Sequence, residues 1–207
     1  KKEIEILCEY KSLNYSKTGS EHFNYISALQ KSVRGSDVEA ALYWLARMMN
    51  AGEDPHYILR RILRTAYEDI GLADSEAQQI CLNAWLTFER LGSPEGDIAI
   101  AHAVIYLALA PKSNSVYSAY NRACNSAQKT SQLSPPRHVV VDKFVGNGDE
   151  SKKYVDDHET SNMPSRDRFL PEGFAQTNFY RPIESGKERE LGKNMSYVNK
   201  LRDPKRK

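Results

Sequence analysis

At 207 residues with 40% hydrophobic content, the chain holds enough apolar material to bury a core, which excludes a disordered or fibrous segment. Its formal net charge is only +2, which excludes a uniformly basic nucleic-acid binder. The positive excess is local: residues 1–130 carry 14 Lys and Arg against 15 Asp and Glu, whereas residues 187–207 carry 8 against 3.

Residues 1–19 read as a connector, in which EIEILCEYKSLNYS alternates loosely like a helix remnant or a short strand. The chain starts without methionine and in mid-pattern, as an excised fragment would. From Ser20 to about residue 130 the apolar period is helical throughout. Phe23, Ile26, Leu29 and Val33 form the first stripe. The polar corner SVRGSD follows, and Asp37 is placed to cap a second helix carrying Val38, Ala41, Leu42, Leu45 and Met49. Asp54 before Pro55 reads as an N-cap and first-turn proline. The third helix then runs through Leu59, Ile62, Leu63, Ala66 and Ile70 to a stop at Gly71. Asp74 or Ser75 opens a fourth, lined by Ala77, Ile80, Cys81, Ala84, Phe88 and Leu91 before Gly92.

Ser93-Pro94-Glu95 starts a fifth helix, DIAIAHAVIYLALAP, which is apolar nearly all round. Such a helix is either central and buried or an interface helix. Pro111 ends it, and Ser113 or Asn114 caps a sixth with Val116, Tyr120, Ala123 and Ala127. The fold expected is all-α: a compact bundle of about six helices over residues 20–130. Residues 131–207 are rich in turn formers and charge, with one β-like run, HVVV, and a short helix near 184–192. They read as an extended, mostly irregular arm that packs on the bundle in patches.

The chemistry-bearing residues do not assemble into a familiar site. Gly186-Lys187 is followed by Glu188 instead of Ser or Thr, and Gly146-Asn147-Gly148 lacks a third glycine. The five histidines never fall at i,i+4 on one helix, and Asp156-Asp157-His158-Glu159 suits a solvated acidic turn. His102, inside the most apolar helix, reads as a core or interface histidine with a hydrogen-bond partner. Cys8, Cys81 and Cys124 are far apart, without Cys-x-x-Cys spacing, and fit a reduced cytosolic compartment. No apolar run reaches the length of a membrane span, and the N-terminus lacks signal-peptide character, so a soluble intracellular chain is expected.

Two basic groups remain as candidate DNA contacts. Arg60, Arg61 and Arg64 share one helical face, with Glu68 four residues beyond Arg64 as a ready ion-pair partner. The tail supplies Lys200, Arg202, Lys205, Arg206 and Lys207, a non-specific match for a phosphate backbone.

Several segments together resemble a known family. KSVRGSD, ALYWLARM, EDIGLAD and LALAPKSN, in this order, are similar to the C-terminal region of the RarA/MgsA-type AAA+ ATPases. These are replication-associated recombination proteins related to the Werner-helicase-interacting protein. The resemblance is dense over about residues 15–128 and resumes at FLPEGFAQTNFYRPIESGKERELGKNM, while residues 139–168 depart from it. It implies a post-lid helical domain with a fold like the clamp-loader collar, joining its subunits as a homotetramer. It implies that this chain is not an enzyme and holds no cofactor, with ATP and Mg²⁺ bound by a preceding ATPase part. DNA, single-stranded-DNA-binding protein and a cytoplasmic, nucleoid-associated location are the implied surroundings. For the interface between subunits, the large apolar side chains Trp44, Met48, Ile100, Val104, Tyr106, Leu107 and Tyr117 are the candidates. The rival reading is a binding module that uses the arginine face or the basic tail.

Overall fold

Seven α-helices, and no strand, make up the computed structural model among its described residues, which are 20–136, 139–140, 169–174 and 178–202. They are α1 (Ser20–Arg34), α2 (Val38–Asn50), α3 (Pro55–Thr65), α4 (Glu76–Leu91), α5 (Asp97–Leu109), α6 (Ser115–Lys129) and α7 (Glu188–Arg202). The connector 1–19, His138 and Val141 of HVVV, and the acidic turn at 156–159 lie outside the described residues; Val139 and Val140, the described half of HVVV, form no strand.

Local chemistry opens α2, α3, α4 and α6 where the sequence placed them, whereas α5 begins at Asp97, later than the start expected at Ser93-Pro94-Glu95. Asp37 accepts the amide of Ala40 at 3.0 Å, and Asp54 accepts those of His56 and Tyr57 at 3.0 and 3.2 Å, so both carboxylates satisfy donors the helix cannot. Asp74 takes the amide of Glu76 at 3.2 Å, and Ser113 Oγ that of Ser115 at 3.2 Å. Within SVRGSD, Ser36 adopts φ +58 and the Asp37 amide reaches back to the Ser32 carbonyl at 2.9 Å. The corner is a turn between two helices, with its polar groups already used.

One element departs from the expected pattern. α3 does not run regularly to Gly71; Ala66–Ile70 widens into a π turn, and Gly71–Ala73 tightens into 3₁₀. The side-chain amide of Gln78 donates to the carbonyls of Ala66 at 2.9 Å and Gly71 at 3.2 Å, holding the irregular turn in place. Gly71 itself sits at φ +51, where a Cβ would lie 3.2 Å from the Ser113 carbonyl oxygen.

By its contacts the chain divides into two units. The first is Lys1–Tyr117 with Ile183–Glu188. Here α5 is the central helix, touching each of α1 to α4. Its residues Ile100, Val104 and Leu107 meet Leu29, Met48 and Ile62 in one fully buried cluster. Cys81 belongs to that core, and burial pushes its thiol up to about 12, so it packs as a small apolar residue. The second unit is Ser118–Pro182 with Arg189–Lys207. In it, the Arg122 guanidinium donates to the Phe179 carbonyl at 2.8 Å through Nε and 2.5 Å through Nη2. α7 is longer than the short helix expected near 184–192. It begins only after Gly186 and continues through Gly192, where an added Cβ would lie 3.3 Å from Pro182.

Candidate assembly surface and nucleic-acid interface

The segments that carry the family resemblance are far apart in the chain, and within the first unit their polar residues meet. From SVRGSD, the Arg34 guanidinium donates to Asp69 of EDIGLAD at 2.8 and 3.4 Å. The carbonyl of the same Asp69 accepts the amide of Ser113 at 2.7 Å. Lys112, next to Ser113 in APKSN, donates to Ser36 Oγ at 3.1 Å and to the carbonyls of Ala108 and Ala110 at 2.9 and 2.6 Å. This caps the end of α5 while tying it to the SVRGSD corner. Burial draws the Lys112 ammonium below its ordinary pKa.

The fourth segment, ESGKE, closes the node. The Ser113 hydroxyl donates to the carboxylate of Glu188, the fully buried first residue of α7. The Lys187 amide donates to the Ala73 carbonyl at 2.8 Å, and its ammonium lies 2.9 Å from Glu76 and 3.6 Å from Asp74. Gly186 takes φ +50, and a Cβ there would overlap the Ala73 carbonyl oxygen and lie 2.7 Å from Pro111 Cγ. The Gly-Lys pair weighed as a phosphate loop is thus a latch: the glycine lets the backbone approach, and the lysine faces carboxylates. Sequence reasoning missed this node. Its trace was the three carboxylates of EDIGLAD, Glu68, Asp69 and Asp74, set around the stop of the helix at Gly71.

Asp74 joins the latch to α5, accepting from the Tyr106 hydroxyl at 2.6 Å. Burial alone would raise the Asp74 pKa; the donors Tyr106, Glu76 amide and Lys187 outweigh it and hold the carboxyl below its usual value. The same hydrogen bond, with desolvation, pushes the Tyr106 phenol up to about 12. The signs are opposite. Asp74 contributes stability that is present above its unfolded pKa of about 3.9 and is lost as pH falls through the lower folded value. Tyr106 contributes stability that is present below about pH 10 and is lost as pH rises through its folded pKa of about 12. In an ultraviolet phenolate titration, Asp74→Asn is expected to move one tyrosine from about 12 back toward about 10, and Tyr106→Phe to remove that transition; an Asp74→Asn profile identical to the parent would refute the pairing.

The seven candidate interface residues separate by burial. Met48, Ile100, Val104 and Leu107 are fully buried in the chain's own core and present nothing to a partner, which corrects their assignment to an interface. Trp44 is half-buried, stacked on Tyr25 with ring centroids 5.6 Å apart, and Tyr106 is half-buried beside Asp74. Tyr117 is exposed. The exposed apolar residues of α5 are others. Ile98, Ile105 and Leu109, 76, 36 and 68% exposed, recur with His102 at spacings of four, three and four, on the side opposite the buried stripe. His102 is exposed, so the core reading of it is overturned. The sequence showed that α5 was apolar on every side, but its two faces are equally apolar, so no amphipathic contrast distinguished inside from outside.

Among the basic candidates, Arg60, Arg61 and Arg64 lie along α3 as expected. Arg64 pairs with Glu68 at 2.7 Å, while Arg60 and Arg61 stand 5.9 and 5.2 Å from the centroid of the Tyr57 ring. Lys200 and Arg202 are exposed on the last turn of α7; residues 203–207 lie outside the described residues.

Comparison with known proteins gives one consistent result. The family model described as "MgsA AAA+ ATPase C terminal" matches residues 35–199. The chain is 43% identical over 192 residues to Replication-associated recombination protein A of Coxiella burnetii, covering 91% of this chain and 44% of the relative. It is 40% identical over 193 residues to the protein of the same name from Escherichia coli K12, covering 91% and 43%. It is 42% identical over 139 residues to ATPase WRNIP1 of Dictyostelium discoideum, covering 67% and 16%. The chain thus spans less than half the length of each of these relatives.

Proposed function

Because the chain belongs to the family of MgsA-type AAA+ ATPase C-terminal domains, we propose that it is a non-catalytic collar, which holds copies of a replication-associated ATPase together. The role is positional. A symmetric collar sets the geometry in which ATP- and Mg²⁺-binding parts outside this chain meet one another and DNA at a replication fork, in the cytoplasm at the nucleoid. The assembly is a closed homo-oligomer, a tetramer on the family's pattern, working alongside single-stranded-DNA-binding protein.

The observation that carries this reading is the outer face of α5. A helix that already fills the core has no intramolecular reason to present Ile98, Ile105 and Leu109 to water. Full burial of one such side chain contributes roughly 1.5–3 kcal/mol, so covering what is exposed of the three in each copy, repeated by symmetry, favours association.

Sedimentation or light scattering tests the reading directly. The chain is expected to show a mass several times 23.5 kDa, and the double variant Ile105→Lys/Leu109→Lys to run as a monomer with unchanged helical circular dichroism. A parent chain that stays monomeric at high concentration would sink it.

A further inference from the structure

The outward face of α3 goes beyond the assembly reading and does not rest on it. Arg60 and Arg64 are exposed there, Arg61 is half-buried beside them, and Tyr67, in the π turn that follows, is 58% exposed; Tyr57, near whose ring Arg60 and Arg61 lie, packs against the core with its hydroxyl enclosed. The three arginines are not equivalent. Arg64 is taken by Glu68 at 2.7 Å. Arg61 pairs with no carboxylate among the described residues and lies 5.2 Å from the centroid of the Tyr57 ring. Arg60 approaches the same ring, and its nearest carboxylate, Asp54 at 3.5 Å, already accepts the capping amides of His56 and Tyr57.

Two guanidinium groups therefore stand beside one aromatic ring with their anion-binding capacity largely unspent. Arginine held in this way loses less freedom on binding, and its N–H fork matches a phosphate. Six residues beyond Arg61, about 9 Å along a helix axis, an open phenol ring stands at Tyr67. Cations that contact phosphate beside an exposed ring that accepts a base are the parts of a single-strand binding surface. A duplex hides its base faces and would leave Tyr67 unused.

We propose that this face binds single-stranded nucleic acid, with Arg60 and Arg61 on successive phosphates and Tyr67 stacking on an unpaired base. The test is fluorescence anisotropy of labelled oligo(dT), oligo(U) and a duplex, titrated with the chain over a series of salt concentrations. Two phosphate contacts on a single strand give a slope of about −1.4 in log K against log salt, and Arg61→Ala is expected to reduce its magnitude by about 0.7. Tyr67→Ala is expected to weaken binding at least about fivefold, whereas Tyr67→Phe, which keeps the ring, retains it. Tyr67 is exposed, and Arg61 is half-buried with no carboxylate partner among the described residues, so each variant should keep the parent's circular dichroism. A response of this kind from either oligonucleotide supports the site, and the tighter of the two identifies the sugar it reads. Binding whose slope survives both variants puts the phosphates elsewhere, as on the basic tail, and overturns the proposal. So does a duplex that binds as tightly as the single strands. Repeating the titration on the α5 lysine variant separates this site from assembly, because the dependence on Arg61 and Tyr67 should be the same whether or not the chain associates.

Discussion

Gly186→Ala is expected to release the ESGKE latch and lower the unfolding free energy of the first unit by about 2–4 kcal/mol. Two penalties act at this position. A left-handed φ of +50 costs an L-residue about 1–2 kcal/mol, and the new methyl group would overlap the Ala73 carbonyl oxygen, a backbone atom that cannot rotate away. The loss has a ceiling, because the segment can let go. It then forfeits the amide bond to Ala73 and leaves Ser113 without the Glu188 carboxylate, while the core around α5 stays folded. The expected signature is a lower melting temperature together with loss of hydrogen-exchange protection at the Lys187 amide. Gly52→Ala supplies the control: its φ is also left-handed, at +77, but a Cβ there meets nothing within 4 Å, so only the conformational penalty applies. Equal losses in the two variants would show that close approach at Gly186 does not matter.

The contrast between those two glycines also shows where sequence reasoning succeeds and where it stops. Caps and corners are local: Asp37, Asp54 and Asp74 act on amides within three residues, so their roles were legible from spacing. The latch is not local. Glu188 meets Ser113 from 75 positions away, and Lys187 meets Glu76 from 111, so Gly186-Lys187 was weighed as a phosphate loop only because its neighbours in space are invisible in the chain. The π turn failed for another reason. Its carbonyls depend on Gln78, a residue of the next helix that no periodicity argument singles out. α7 runs past the short helix expected near 184–192, through Gly192, where an added Cβ would lie 3.3 Å from Pro182. The resemblance identified the segments and their order. Their shared purpose, with Arg34, Asp69, Lys112, Ser113 and Glu188 joining four of them, became visible only in three dimensions.

The two faces of α5 yield the other large effect. Leu107→Ala is expected to destabilise the chain by about 2–5 kcal/mol, because Leu107 is fully buried among core side chains that cannot all collapse onto the space it leaves. Leu109→Ala, two residues on and 68% exposed, should cost the monomer no more than about 0.5 kcal/mol. Chemical denaturation in an Ile105→Lys background, at a concentration where light scattering shows a monomer, separates folding from association and measures both numbers. In the parent background the order should partly reverse when mass is the readout: Leu109→Ala weakens assembly while the fold persists, whereas Leu107→Ala loses assembly only as it loses helix. Sequence reasoning assigned Ile100, Val104 and Leu107 to the interface and passed over Ile98, Ile105 and Leu109, since one apolar helix offers both sets in the same register. If Leu109→Ala instead unfolds the monomer, the outer face is held by the chain itself, and the apolar argument for a collar loses its basis. If Leu107→Ala leaves the fold intact and lowers only the mass, the inner and outer faces have been exchanged.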